Sequence, residues 1–290
     1  MTPTCQARLA RVLRHVEENP DGDLSVAALG GVAALSPHHF HRLFSGLLGI
    51  GVHRYVQLAR LKRACWRLAY RPAVPVLEIA LDAGYEGPEA FARAFRRHLG
   101  QSPSGFRRAP DWAAWQAAFD TFGKIRREHM VPGFEDARVE IREVPDIPVA
   151  VLAHRGDPAL LGDSIRRFIA WRKAAGLPPR LSATYNLLYG DPEDTPPQEF
   201  RLDLCAATDR PVAPNDAGVE AGTIPGGRCA VLRHAGSDDG LGAALRFLYG
   251  TWLPASGEEP RDCPPYLQRI AFFPDVPEHA AVTDIFLPLR

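Results

Sequence analysis

A stretch of the chain beginning at Val139 returns 80 residues later. Val139-Glu140, Pro145, Ala150-Val151-Leu152, His154, Gly156, Leu161, Gly162 and Arg166 reappear as Val219-Glu220, Pro225, Ala230-Val231-Leu232, His234, Gly236, Leu241, Gly242 and Arg246, which is 11 identities in 28 positions. Ordinary composition would give roughly two. Two like units must cover one another's apolar faces, and a duplicated α+β unit leaves a cleft along its pseudo-twofold interface. Each copy reads strand, helix, strand, strand. The runs 139–153 and 229–233 are β-rich, 161–175 and 241–252 are helical, and 185–189, 200–206, 266–273 and 282–288 supply the closing strands. The spacing predicts a duplicated βαββ fold.

The first half has a different period. Leu9, Val12, Leu13 and Val16 recur at three and four residues, and Asn19-Pro20-Asp21-Gly22 stops the pattern. A short helix from Leu24 leads through Gly30-Gly31 to Ser36-Pro37, an N-cap and first-position pair that opens a second helix burying Phe40, Leu43, Phe44 and Leu47. A longer helix over 51–69 follows. The outline then repeats, with a short helix at 76–82, a turn at Gly84-Tyr85, and a helix from Pro88 burying Phe91, Phe95 and Leu99. This predicts an all-α domain with two helix-turn-helix units in tandem.

The chain holds 34 basic and 34 acidic residues, yet residues 1–127 carry 18 basic against 10 acidic, so the two parts are +8 and −8. That asymmetry makes the first part a candidate for a polyanion. No apolar run approaches the roughly 18 residues of a membrane span, and Arg8, Arg11, Arg14 and Glu17-Glu18 stand where a secretory signal needs an apolar core. A cytoplasmic protein with no membrane partner is expected. Five cysteines without C-x-x-C spacing read as core residues. No cofactor and no metal site are expected, since no carboxylate or cysteine near His38, His39 and His41 completes a ligand set.

Leu29, Ser36, Phe40, Arg42-Leu43-Phe44, Gly49, Tyr55, Arg60-Leu61, Ala64, Leu68, Ile79-Ala80, Gly84-Tyr85, Phe91, Phe95-Arg96, Gly100, Pro103 and Arg107 resemble the AraC/XylS-type DNA-binding domain over about residues 5 to 108. The resemblance implies seven helices, with two recognition helices entering successive major-groove segments of double-stranded DNA. Gly87-Pro88 departs from the family pattern, which has a polar cap there. Outward Arg42 and Arg93 can each take guanine O6 and N7 bidentately, and the family places base contacts at or near these positions. His38, His41 and Glu89 share those outer faces. Arg96, Arg97 and Arg107 are expected on the phosphate backbone. The two units differ in sequence and no dimerisation heptad is visible, so a monomer on an asymmetric site is expected.

Residues 109–135, with Trp112, Trp115, Phe119 and Phe122, read as a connecting helix. From 136 to 290 the chain resembles the GyrI-like, or Rob-type, small-molecule-binding domain. The resembling runs are Tyr189-Gly190-Asp191-Pro192, Arg201 to Cys205, Gly226 to Val231, His234-Ala235-Gly236, Trp252-Leu253-Pro254 with Gly257, and Thr283 to Leu289. Trp171, Tyr185, Tyr189, Trp252 and Tyr266 are candidate effector-lining residues. Related domains that take lipophilic cations carry a buried glutamate in the strand after the second helix. The position is read here as Leu267, so a neutral, aromatic effector is expected.

Together these features describe a transcriptional regulator that is not an enzyme. Its effector would act either on the placement of the two domains or on contacts with transcription machinery such as RNA polymerase. Two alternatives stay open: a small-molecule hydrolase, or a protein-binding inhibitor, with the helical domain as targeting module. His154 and His234, equivalent in the repeat, read as a shared structural device rather than a catalytic one.

Overall fold

The computed structural model describes residues 3–130, 134, 137–191, 195–273 and 275–290. Pro192, in one of the family-like runs, and residues 131–133, 135 and 136, at the junction expected between connecting helix and second domain, lie outside the described residues. The chain separates into two compact units, Met1–Val131 and Pro132–Arg290.

The first unit consists of α1 (Pro3–Glu18), α2 (Val26–Val32), α3 (Pro37–Leu48), α4 (Val52–Tyr70), α5 (Val76–Asp82), α6 (Pro88–Leu99), α7 (Pro103–Arg108) and α8 (Trp112–His129). Side-chain caps set several boundaries. Ser25 accepts from Ala28 N, Ser36 from His39 N, Ser102 from Gly105 N and Asp111 from Ala114 N, while α3 and α6 both stop at left-handed glycines, Gly49 and Gly100. The turn of each helix-turn-helix also needs one left-handed residue. In the second unit it is Gly84, where an added Cβ would lie 2.7 Å from Arg60 Nη1. In the first it is Ala34, at φ 53°, a conformation costing an L-residue roughly 1–2 kcal/mol. Arg8 ties that turn down by donating from Nη1 to the carbonyls of Ala33 and Ala34.

Aromatic contacts define the helical core. One run passes Phe40, Phe44, Tyr55 and Phe122 with centroids 5.6, 5.8 and 4.8 Å apart. A second passes Tyr85, Phe91, Phe95, Phe106 and Trp112 at 5.4, 5.3, 5.6 and 5.6 Å. Both runs end on α8, one from each helix-turn-helix. The buried Arg126 of α8 also pairs with Glu17 of α1. The helix between the expected domains is therefore built into the core of the first.

The second unit holds β1 (Val139–Val144), β2 (Ile147–Arg155), α9 (Leu161–Ala174), β3 (Thr184–Leu188), β4 (Arg201–Ala207), β5 (Glu220–Ile224), β6 (Gly227–Ala235), α10 (Leu241–Phe247), a π turn at Leu248–Trp252, α11 (Leu253–Ser256), β7 (Tyr266–Ala271) and β8 (Val282–Pro288). The first strand of each βαββ unit is broken in two, at Pro145-Asp146 and at Pro225-Gly226, and the pieces go to different places. One antiparallel sheet results, in the order β1-β6-β8-β7-β3-β4-β2-β5. Each copy lends its leading strand to the other, and the pseudo-twofold axis passes between β3 and β7.

This order forces curvature. From β1 to β2 is six strand spacings, about 29 Å in a flat sheet at ~4.8 Å each. Yet Val144 and Ile147 are three Cα links apart, at most ~11 Å. The sheet must curl until its ends meet, with α9 and α10 on the outer face and a second cluster enclosed. Outside, Phe168 and Trp171 of α9 pack on Ala150, Leu152 and Leu204, while Ala244 and Leu248 pack on Leu232, Leu267 and Ile285. Inside, Tyr185, Tyr266, Phe286, Cys205, Cys229 and Val231 join Val144, Ile147 and Ile224 from beside the two breaks.

The breaks touch one another. Gly226 N donates to Asp146 Oδ1 at 2.6 Å, and a Cβ on Gly226 would lie 2.5 Å from Val144 O and from Asp146 N. Gly226→Ala is therefore expected to lower stability by about 1–3 kcal/mol, read from chemical denaturation of the full chain, because backbone rather than a flexible side chain must move. A fragment ending at residue 108 is expected to lack a cooperative thermal transition that a fragment ending at residue 130 shows, since the shorter one loses Trp112 and Phe122 from the core.

Candidate functional site

The helical unit offers two matched surfaces. Counting from Pro37 and Pro88, which open their helices, Arg42 and Arg93 occupy the same position of α3 and α6, and both are exposed. Phe40 and Phe91, Phe44 and Phe95, and Leu48 and Leu99 match on the buried sides. His38, His41, Glu89, Arg96 and Arg97 are exposed as well. None of Arg42, Arg93, Arg96 and Arg97 forms a hydrogen bond or ion pair among the described residues. Their guanidinium groups are free to meet phosphate or base edges.

Arg107 is placed differently. Its Nη1 and Nη2 donate to the carbonyls of Pro72 and Val74 at 3.4 and 2.6 Å, holding the loop between α4 and α5. Arginines expected together on phosphate thus divide into exposed ones and one spent on the fold. The structure adds a contact that periodicity could not supply. Gln57 Oε1 accepts from His98 Nε2 at 3.2 Å, and Arg54 Nη1 lies 2.8 Å from His98 Nδ1, joining the end of α6 to α4. Burial, then the Arg54 and Arg97 charges, holds the His98 imidazole below its ordinary pKa.

In the second unit, strand register sorts the expected effector residues by face, because directly opposed residues share a side. Tyr266 lies opposite Leu187 and Phe286, and its ring stacks on Phe286 at 4.6 Å and meets Tyr185 edge-on at 6.2 Å. Tyr185 and Tyr266 are therefore together, at the centre of the enclosed face. Trp171 is elsewhere, stacked on Phe168 under α9, and Trp252 packs in the outer clusters beneath the second copy's helix. Leu267 also lies outside, opposite Asn186 and Ile285 and packed with Leu232 and Leu248. The inner-face positions of β7 are Tyr266 and Gln268, so the reading of Leu267 as the cation-recognising position is one residue out of register. A slip of one residue changes the face.

The enclosed face does carry buried carboxylates, on β4 and β8 rather than on β7. Asp203 lies opposite Leu187, and Asp284 opposite Gln268, at matching places in the two copies. Each is only 2 % exposed. Both are neutralised side-on by a guanidinium. Arg201 gives Asp203 bonds of 3.0 Å from Nε and 2.7 Å from Nη2, and Arg233 gives Asp284 bonds of 2.7 and 2.8 Å from the same atoms. Tyr189 closes the first of these from above, 43 % exposed, with the Arg201 guanidinium 3.8 Å from its ring centre. The available signal was a single acid inside each of two apolar strands at corresponding repeat positions.

The other polar groups of the enclosed face, and those behind the sheet, are held neutral or structural. Burial pushes the Tyr185 and Tyr266 phenols and the Cys205 and Cys229 thiols up, so none is ionised near neutrality. His154 and His234 make the same bond in both copies, from Nε2 to the carbonyl three residues on, Asp157 at 3.2 Å and Ser237 at 2.9 Å. Buried Arg172 donates to Leu177 O, Ser182 O and Thr184 Oγ1, clipping the end of α9 to β3, and burial lowers its pKa to about 10.

Tandem helix-turn-helix units and a strand-exchanged, duplicated α+β domain on one chain define a DNA-binding regulator with an effector domain. The GyrI-like small molecule binding domain model matches residues 137–290, and the chain belongs to that family. A helix-turn-helix domain model of AraC type matches residues 29–109. The chain is 40% identical over 152 residues to the "Probable transcriptional regulator YgiV" of Escherichia coli (strain K12), spanning 52% of this chain and 95% of that one. It is 32% identical over 111 residues to the "Right origin-binding protein" of the same organism, spanning 38% of each. Among solved structures, the EcmrR C-terminal domain is similar at 17% identity and a TM-score of 0.44, covering 53% of this chain and 98% of that one.

Proposed function

We propose that this protein is a cytoplasmic, sequence-specific transcriptional regulator. Its two recognition helices read one face of duplex DNA, and its enclosed, duplicated sheet senses a small neutral, aromatic molecule. The observation that carries the first half is the pair Arg42 and Arg93, exposed, without a partner among the described residues, and at the same position of two helices that share one core. What supports the second is the enclosed aromatic face, whose two buried acids are already matched by the protein's own guanidinium groups. An entering cation would find both buried carboxylates already neutralised, and a neutral ring loses little by leaving water.

Tyr185 and Tyr266 are the proposed centre of the effector site, with Tyr189 at its exposed edge and Gln268 as a hydrogen-bonding group. Trp171, Trp252 and Leu267 support the site from behind the sheet. The hydrolase alternative would need a free acid–base pair inside this face, and the two buried acids there are tied to arginine. Effector binding would change either the placement of the two units or their contacts with RNA polymerase.

Arg42→Ala and Arg93→Ala are each expected to cost about 1–3 kcal/mol in binding the specific site, and to relax preference at one base position. Arg96→Ala is expected to weaken specific and random DNA alike and to reduce the salt dependence. Equal fractional losses for both classes on both DNAs would remove the assignment of Arg42 and Arg93 as base readers. The footprint is expected to be asymmetric, with two contacted major-groove segments roughly 34 Å apart, and to be filled by one chain. In calorimetric titration of the full chain, neutral aromatic compounds are expected to bind more tightly than cationic compounds of the same shape, and saturation by neither would count against the sensor reading.

A further inference from the structure

The Tyr189, Arg201 and Asp203 cluster has the form of an occupied binding site. A planar cation lies 3.8 Å from the centre of an aromatic ring and is gripped by both oxygens of a carboxylate at 2.7 and 3.0 Å. The carboxylate is 2 % exposed, while the ring is 43 % exposed. An aromatic face with a buried counter-charge is how proteins recognise organic cations. Here the cation is supplied by the chain itself, from two residues before the aspartate.

We propose that Arg201 is an internal ligand, whose guanidinium fills a cation subsite formed by Tyr189 and Asp203 and so sets the domain's specificity against planar organic cations. The cross-strand neighbours of Asp203 on that face are Leu187 and Ala153, which offer it no charge. Withdrawing Arg201 leaves a buried carboxylate beneath an accessible ring. The class of molecule that refills it is set by geometry. Two parallel N–H donors on a flat, delocalised cation reproduce the side-on grip, so amidines and guanidines fit. Quaternary ammonium ions, which donate no hydrogen bond, do not.

The pair at Asp284 differs and serves as an internal control. No aromatic ring stacks on Arg233 among the described residues, and Arg142 Nη1 lies 3.8 Å from Asp284, close enough to neutralise it. Loss of Arg233 should open no equivalent site. Arg155 lies opposite Arg201 across β2 and β4 and is a cation able to take its place. The test therefore includes a double variant.

The proposal rests on reading the enclosed face as the ligand site, but its test uses defined probes: benzamidinium, neutral benzamide and phenyltrimethylammonium. Each is titrated calorimetrically, and in thermal shift, against the full-length wild type, Arg201→Ala, Arg201→Ala with Arg155→Gln, and Arg233→Ala. Benzamidinium is expected to bind Arg201→Ala, or the double variant, at least tenfold more tightly than wild type. Benzamide, phenyltrimethylammonium and Arg233→Ala should show no such gain, and adding Asp203→Asn to Arg201→Ala should abolish it. Equal benzamidinium binding by wild type and both Arg201 variants, a gain that survives Asp203→Asn, or an equal gain for benzamide would overturn the assignment. Should Arg201→Ala fail to fold, benzamidinium-dependent recovery of its near-ultraviolet circular dichroism supports the subsite. Failure to recover, together with no gain in a folded Arg201→Gln variant, overturns it. A gain in the variants with no neutral effector for wild type leaves the subsite standing and the sensor reading fallen, and the converse pattern does the reverse.

Discussion

Two short links, Pro145-Asp146 and Pro225-Gly226, join strands that lie six places apart in an eight-stranded sheet. A flat sheet cannot satisfy both the hydrogen-bond order and a reach of three Cα links, so the sheet is bent until its ends approach. The rest of the second unit follows from that. The outer face is convex and receives α9 and α10, while the inner face becomes an interior bounded by strands. Gly226 is required where the two links cross, because the backbone of Val144 and Asp146 occupies the place of a side chain.

Enclosure sets the electrostatics of the site. A carboxylate on an open sheet face would be solvated, whereas Asp203 and Asp284 have been drawn into an apolar interior and must be matched there. The duplicated chain meets the same need by two different routes. Arg201 reaches Asp203 along its own strand, and Arg233 reaches Asp284 across from the neighbouring one. The two halves therefore keep equivalent acids but different cations. That difference gives the first half an aromatic stack over its guanidinium and leaves the second without one.

In the helical unit the corresponding constraint is the meeting of two aromatic runs on α8. Phe122 of α8 joins the core of one helix-turn-helix and Trp112 that of the other. The shared helix closes both cores, so the two recognition surfaces are fixed with respect to each other by two sets of ring contacts that end on one helix. Arg107 contributes to the same rigidity by holding the loop between α4 and α5.

Periodicity, caps and repetition were enough to place the tandem helix-turn-helix units, Arg42 and Arg93 on matched outer faces, the 80-residue duplication, and the strand and helix order of each copy. All of these are local properties, decided within one turn of helix or two residues of strand, or visible by comparing the chain with itself. The exchange of β1 and β5 between copies, the face on which Leu267 or Gln268 points, and the partners of Asp203, Asp284 and Arg107 were settled only in three dimensions. Strand register is set by pairing with segments tens of residues away, and a shift of one residue exchanges inside for outside. An ion pair likewise depends on which distant side chain the fold brings within about 3 Å of a buried charge, and the chain's order does not encode that distance.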